Sequence, residues 1–78
     1  LNNQRTLYIG KTVKRLRDGQ KMNQEDLAFL SGLSREYISK IENDVHDPTL
    51  GKLVFIADAL NMLTSDLVKA AEEDSQKL

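Results

Sequence analysis

Apolar residues along this 78-residue chain recur at spacings of three and four, and nowhere does strand-like alternation persist. Ile9, Val13 and Leu16 fall on one face and predict a first helix over about 6–18, ended by Gly19 and the polar residues after it. Asn23 is a good N-cap for a second helix, with Glu25 and Asp26 near the positive end of its dipole. Leu27, Ala28 and Leu30 are its apolar positions, and Gly32 permits the left-handed turn that stops it. Ser34 caps a third helix, over about 34–43, that turns Ile38 and Ile41 inward. After a loop at 44–48, Pro48 and Thr49 open a fourth helix with Leu50, Leu53, Ile56, Ala57 and Leu60 inward, and Asn61 ends it. A fifth helix, anchored by Leu67, runs from 64 or 65 to 72 and leaves 74–78 as a frayed tail.

Helices this short are marginal in isolation, so packing must hold them. The pattern predicts an all-α protein in which residues 1–78 form one compact domain. Its centre is a pair of helices joined by a tight turn, at 23–43. The second of these presents Arg35, Glu36, Ser39, Lys40 and Asn43 outward. A short rigid helix edged with such groups has the dimensions and hydrogen-bonding capacity to read a DNA major groove.

Composition narrows the alternatives. Hydrophobic residues make up 40% and charged residues 29%, an ordinary globular balance. With no cysteine, disulfide scaffolds and zinc fingers are excluded. No apolar run approaches the roughly 20 residues that span a bilayer, and no signal-peptide layout is present, so a cytoplasmic protein without membrane contact is expected. The chain opens at Leu1 rather than methionine, as a trimmed chain or a part of a longer protein does. One histidine, no phosphate-loop glycines and no paired acids leave no catalytic constellation. No enzyme activity, cofactor, metal or small-molecule substrate is expected.

Net charge is −1 and the pI is near 5.7, which counts against a purely electrostatic nucleic-acid binder. The distribution is uneven, however. Arg5, Lys11, Lys14, Arg15, Arg17 and Lys21 face a lone Asp18, whereas acids dominate later, ending in Glu72, Glu73 and Asp74. Screening over roughly 8 Å in physiological salt lets a local basic face act independently of the total. The same residues also describe the solvated side of a helix.

The residues Ile9-Gly10, Val13, Leu16-Arg17, the block from Asn23 to Ala28, Gly32-Leu33-Ser34, the block from Tyr37 to Asn43, Pro48-Thr49-Leu50, and Leu53, Ile56 to Leu60 and Leu67 together resemble the phage repressor and Cro type of helix-turn-helix domain, the XRE family. The resemblance covers most of the chain. It implies a five-helix, lambda-repressor-like DNA-binding domain that is dimeric on DNA and belongs to a transcriptional regulator.

Residue by residue, the resemblance implies that Gln24 meets a phosphate and braces the first residue of the reading helix. Ser34 joins the DNA-contacting set at the head of that helix. Arg35 and Glu36 are implied to meet base edges, although Glu36 and Lys40 also form a favourable i,i+4 pair. Tyr37 borders core and interface, its ring placed to pack against Phe29 and its hydroxyl to reach a phosphate. Ser39 and Lys40 sit one turn further on. Asn43 is either a phosphate contact or a helix cap. Arg17 and Glu42 are implied to pair as structure, tying the scaffold to the reading helix.

The chain departs from the family pattern in three places. The loop Asp44-Val45-His46-Asp47 lacks the usual glycine and basic residues, and its aspartates would repel phosphates unless a protonated His46 compensates. Gly51 replaces a polar residue in the fourth helix, and Leu63 stands where a capping serine is usual. Leu63, Met62 and Val68 either form a dimer surface or close the core.

The expected function is sequence-specific binding of double-stranded DNA by a homodimeric repressor at a palindromic operator, with half-sites roughly 34 Å apart. The alternative is a protein-interaction module, such as an antitoxin or adaptor, with weak or no DNA binding.

Overall fold

The computed structural model describes residues 7–76. They form α1 (Ile9–Gly19), α2 (Gln24–Ser31), α3 (Arg35–Glu42), α4 (Leu50–Ala59) and α5 (Thr64–Gln76), with no strand among the described residues. The proposed helix start at Thr6 lies outside them.

Local chemistry sets most boundaries. Asn23 and Asp26 form a reciprocal capping box at the head of α2, with bonds of 2.7 and 2.9 Å. Gly32 closes the same helix at φ 74, a conformation that only glycine adopts at little cost. Ser34 Oγ accepts the Tyr37 amide at 3.0 Å, and Thr49 Oγ1 accepts the Lys52 amide at 3.2 Å. At the end of α1, helical structure includes Gly19, and the left-handed residue that reverses the chain is Lys21 at φ 63.

Val13, Leu27, Ala28, Ile38, Leu53, Ile56, Ala57, Leu60 and Leu67 form the core, so all five helices contribute. Met62 and Val68 pack against this cluster and close it, whereas Leu63 stays 68% exposed. Helices α1 and α3 approach so closely that a Cβ on Gly10 would collide with the Ile41 carbonyl oxygen.

Three expectations are corrected by the packing. Leu30 is exposed, because Leu27, Ala28 and Ser31 define the buried face of α2 and a 100° step per residue carries Leu30 about 105° from its centre. Leu50 is also exposed, in the first turn of α4, at the rim of a groove of about 540 Å³ lined by Leu7, Ile9, Pro48, Leu53 and Val68. Residues 74–76, expected to fray, continue α5 against α1. Asp74 accepts from Thr12 Oγ1 at 2.7 Å and from Arg15 Nε at 3.0 Å, and Ser75 Oγ accepts the Tyr8 amide at 3.0 Å. Residues 77–78 lie outside the described chain.

Candidate nucleic-acid interface

Helix α3 is anchored on its inner side by Ile38 and Ile41, both essentially without solvent contact, and by the buried Glu42. Glu42 receives two charge-assisted bonds from Arg17, Nε to Oε2 at 2.7 Å and Nη2 to Oε1 at 3.0 Å. Arg17 Nη1 adds a 2.7 Å bond to the Met22 carbonyl, tying the end of α1 to the approach to α2. The bond to Glu42 raises the Arg17 pKa further above its ordinary value, outweighing the opposing effect of burial. The helix is thus anchored to its scaffold along its inner side and at its C-terminal end.

The outer side carries the polar set. Ser34, Arg35, Glu36 and Asn43 are exposed, and Tyr37, Ser39 and Lys40 are half-buried. Glu36 and Lys40 stand 4.0 Å apart, a loose i,i+4 pair. Asn43 Nδ2 donates to Ser39 Oγ at 3.3 Å, and the Asn43 backbone serves as the C-cap of α3. Gln24, at the first position of α2, lies between the two ends of α3. Its Nε2 donates to Glu42 Oε1 at 3.0 Å, and its Oε1 accepts from Arg35 Nη1 at 3.4 Å. The amides at the head of α3 add a partial positive charge beside this group.

Tyr37 takes partners other than the one expected. Phe29 is 86% exposed, and the Tyr37 ring instead stacks on His46 at 6.2 Å between centroids, with Lys52 Nζ 6.0 Å from the ring centre. Lys52 was missed by sequence reasoning. No spacing links it to α3, and its only signal is an exposed basic residue in the first turn of α4. His46 is held there because the loop folds back on α3. Asp44 adopts φ 58, and the Val45 amide bonds to the Lys40 carbonyl at 2.8 Å.

The basic run of α1 is not a plain phosphate-binding strip. Arg17 is buried against Glu42, and Arg15 is held by Asp74 while staying exposed beside Lys11 and Lys14, so these three are the exposed cations of α1 among the described residues. Among those residues no helix is long and apolar enough to cross a membrane.

Residues 13–68 match the family model described as helix-turn-helix. The immunity repressor protein of Bacillus phage phi105 is 37% identical over 62 residues, which is 80% of this chain and 43% of the repressor. The chain thus spans less than half the length of that curated relative. The restriction-modification controller protein C.AhdI of Aeromonas hydrophila is 33% identical and superimposes with a TM-score of 0.75, covering 78% of this chain and 92% of that one. The controller protein C.Esp1396I, solved as a tetramer in complex with its natural 35 base-pair operator, is 27% identical with a TM-score of 0.84 over 96% of this chain and 99% of its own.

Proposed function

The chain belongs to the helix-turn-helix family, in its phage-repressor and Cro (XRE) branch, and on that premise we propose that it is a sequence-specific regulator of transcription, a repressor that reads double-stranded DNA as a homodimer. The observation that carries this reading is the rigid outer face of α3. Arg35, Glu36, Ser39, Lys40 and Asn43 project from a helix whose opposite side is anchored by Ile38, Ile41 and the Arg17–Glu42 pair.

Arg35 donates bidentately to the O6 and N7 of a guanine, and Lys40 meets a base edge or phosphate further along the groove. Glu36 accepts from a cytosine amino group when it leaves Lys40. Gln24, Ser34 and the amides at the helix heads meet phosphates and set the register. Tyr37, with Lys52 beside its ring, borders the groove and meets the phosphate backbone. Asn43 closes the contact surface at the end of α3. Two such helices, one from each protomer, fit half-sites roughly one helical turn apart, which implies a palindromic operator. Residues 1–78 act as a single DNA-binding domain in the cytoplasm, without cofactor.

The operator complex of C.Esp1396I supports this reading, because its protein shares the fold over nearly the whole chain. Selection from a random duplex library should return a palindrome, and recovery of unselected sequences would end the proposal. A second reading, an adaptor or antitoxin, is favoured by the exposed Asp44 and Asp47 beside the reading helix. A salt titration separates the two. A DNA binder loses affinity with a log–log slope of about −0.9 per phosphate contacted, whereas an adaptor shows no duplex binding at low salt.

A further inference from the structure

We infer that Glu42 is a positioning residue for base selection, acting through Gln24 on Arg35; this rests on the reading that α3 enters the major groove. Its side chain is 2% exposed, and it is a hub as well as half of an ion pair. Oε1 receives Arg17 Nη2 and Gln24 Nε2, each at 3.0 Å, and Oε2 receives Arg17 Nε at 2.7 Å.

A carboxylate only accepts hydrogen bonds, so it dictates which end of a neighbouring amide faces it. The Gln24 amide must turn its NH2 group inward to Glu42. Its oxygen is thereby turned outward, where it accepts from Arg35 Nη1 at 3.4 Å. The flipped amide would set oxygen against oxygen at Glu42 and present a donor to a guanidinium, which only donates. The donated hydrogen bonds thus converge on Glu42, from the buried Arg17 on one side and from the exposed Arg35 through Gln24 on the other. With one Nη1 hydrogen engaged by Gln24, Arg35 keeps its Nε and Nη2 edge for O6 and N7 of a guanine. The buried ion pair therefore sets the orientation of the group that reads the base, and Arg17 is the clamp that keeps Glu42 in place.

The test compares the wild-type chain with Glu42→Gln, Gln24→Met and the double variant, by selection from a random duplex library, with far-UV circular dichroism to establish folding. A glutamine at 42 offers no fixed acceptor, and a methionine at 24 cannot bridge. Each single variant should lower the guanine preference at one base pair per half-site about tenfold, within the range for one bidentate contact. Preferences elsewhere should persist, and the double variant should be no worse than either single one. A folded Glu42→Gln protein that keeps the full guanine preference, or that loses affinity equally for all sequences, overturns the inference alone. Absence of any selected sequence with the wild-type chain overturns both this inference and the DNA-reading proposal. Side-chain amide NMR of the wild-type protein tests the orientation of the Gln24 amide without a variant. Its NH2 protons should resonate away from the free-glutamine pair, with one protected from exchange, and the shifts and exchange of a free glutamine would overturn the inference.

Discussion

Arg17 at the end of α1 grips Glu42 in the last turn of α3 through two parallel bonds of 2.7 and 3.0 Å, with both side chains buried. The pair joins the scaffold to the reading helix, and Gln24 and the Met22 carbonyl complete its hydrogen bonding. Among the described residues, no buried side-chain nitrogen or oxygen is left without a partner. A buried charge pair of this kind is costly to break and cheap to replace as a whole.

Arg17→Met should therefore destabilise the fold by about 3–5 kcal/mol, because Glu42 is left buried and uncompensated. Replacing both partners, Arg17→Met with Glu42→Leu, should recover most of that loss. Urea unfolding with a double-mutant cycle measures the difference, and additive losses would contradict it. The pH dependence follows from the raised Arg17 pKa. A raised folded pKa gives stability that is fully present at pH values below the unfolded value and lost only as pH climbs through the folded one. The Arg17 guanidinium should thus introduce no pH dependence of stability at any pH up to about 10.

Gly10 and Gly51 should respond in opposite directions to alanine. A Cβ at Gly10 meets the Ile41 carbonyl oxygen and lies 2.8 Å from Asp44 Oδ1, so Gly10→Ala forces α1 and α3 apart. Overpacking of this type costs about 1–3 kcal/mol. Nothing lies within 4 Å of a Cβ on the helical Gly51, and Gly51→Ala should stabilise by about 0.5–1 kcal/mol through the lower entropy of the unfolded chain. Thermal melts of the two variants should move in opposite senses.

Arg35 and Lys52 should separate specificity from affinity. Arg35→Ala should lose about 1–3 kcal/mol of discrimination at one base pair of each half-site. Lys52→Ala should weaken binding to all sequences alike and reduce the salt slope by about one phosphate contact. Titrations with selected and scrambled duplexes at several salt concentrations distinguish these outcomes. A sequence-dependent effect at Lys52 would reassign it to base reading.

Asp74→Ala should leave the Thr12 hydroxyl, which has no solvent contact, without its 2.7 Å acceptor. The expected loss is about 1–3 kcal/mol, the cost of an unsatisfied buried donor. Hydrogen exchange should show the last turn of α5 opening first. Deleting residues 74–78 should destabilise in the same way, whereas a frayed tail could be removed without effect.

The local elements were legible because their determinants lie within a few residues of one another. Asn23 with Asp26, Gly32, Ser34 and Thr49 place helix ends through bonds that span three residues or one backbone conformation. The three-and-four spacing around Val13, Leu27, Ile38, Ile56 and Leu67 announced five helices and a shared core, since a helix must bury its apolar stripe. Tertiary structure decided what covers each stripe. Leu30 and Leu50 fit the pattern yet remain exposed, because periodicity does not state how wide an arc a neighbour reaches. Asp74 reads as tail and is pinned by Thr12 and Arg15 across the full length of the domain. The grouping of Tyr37, His46 and Lys52, and the chain from Arg17 through Glu42 and Gln24 to Arg35, depend on helices distant in sequence meeting at one point. The sequence by itself determined which helices form and which of them carries the polar outer face. Only the packing of those helices determined which polar groups touch, because a hydrogen bond depends on distances that no linear spacing contains.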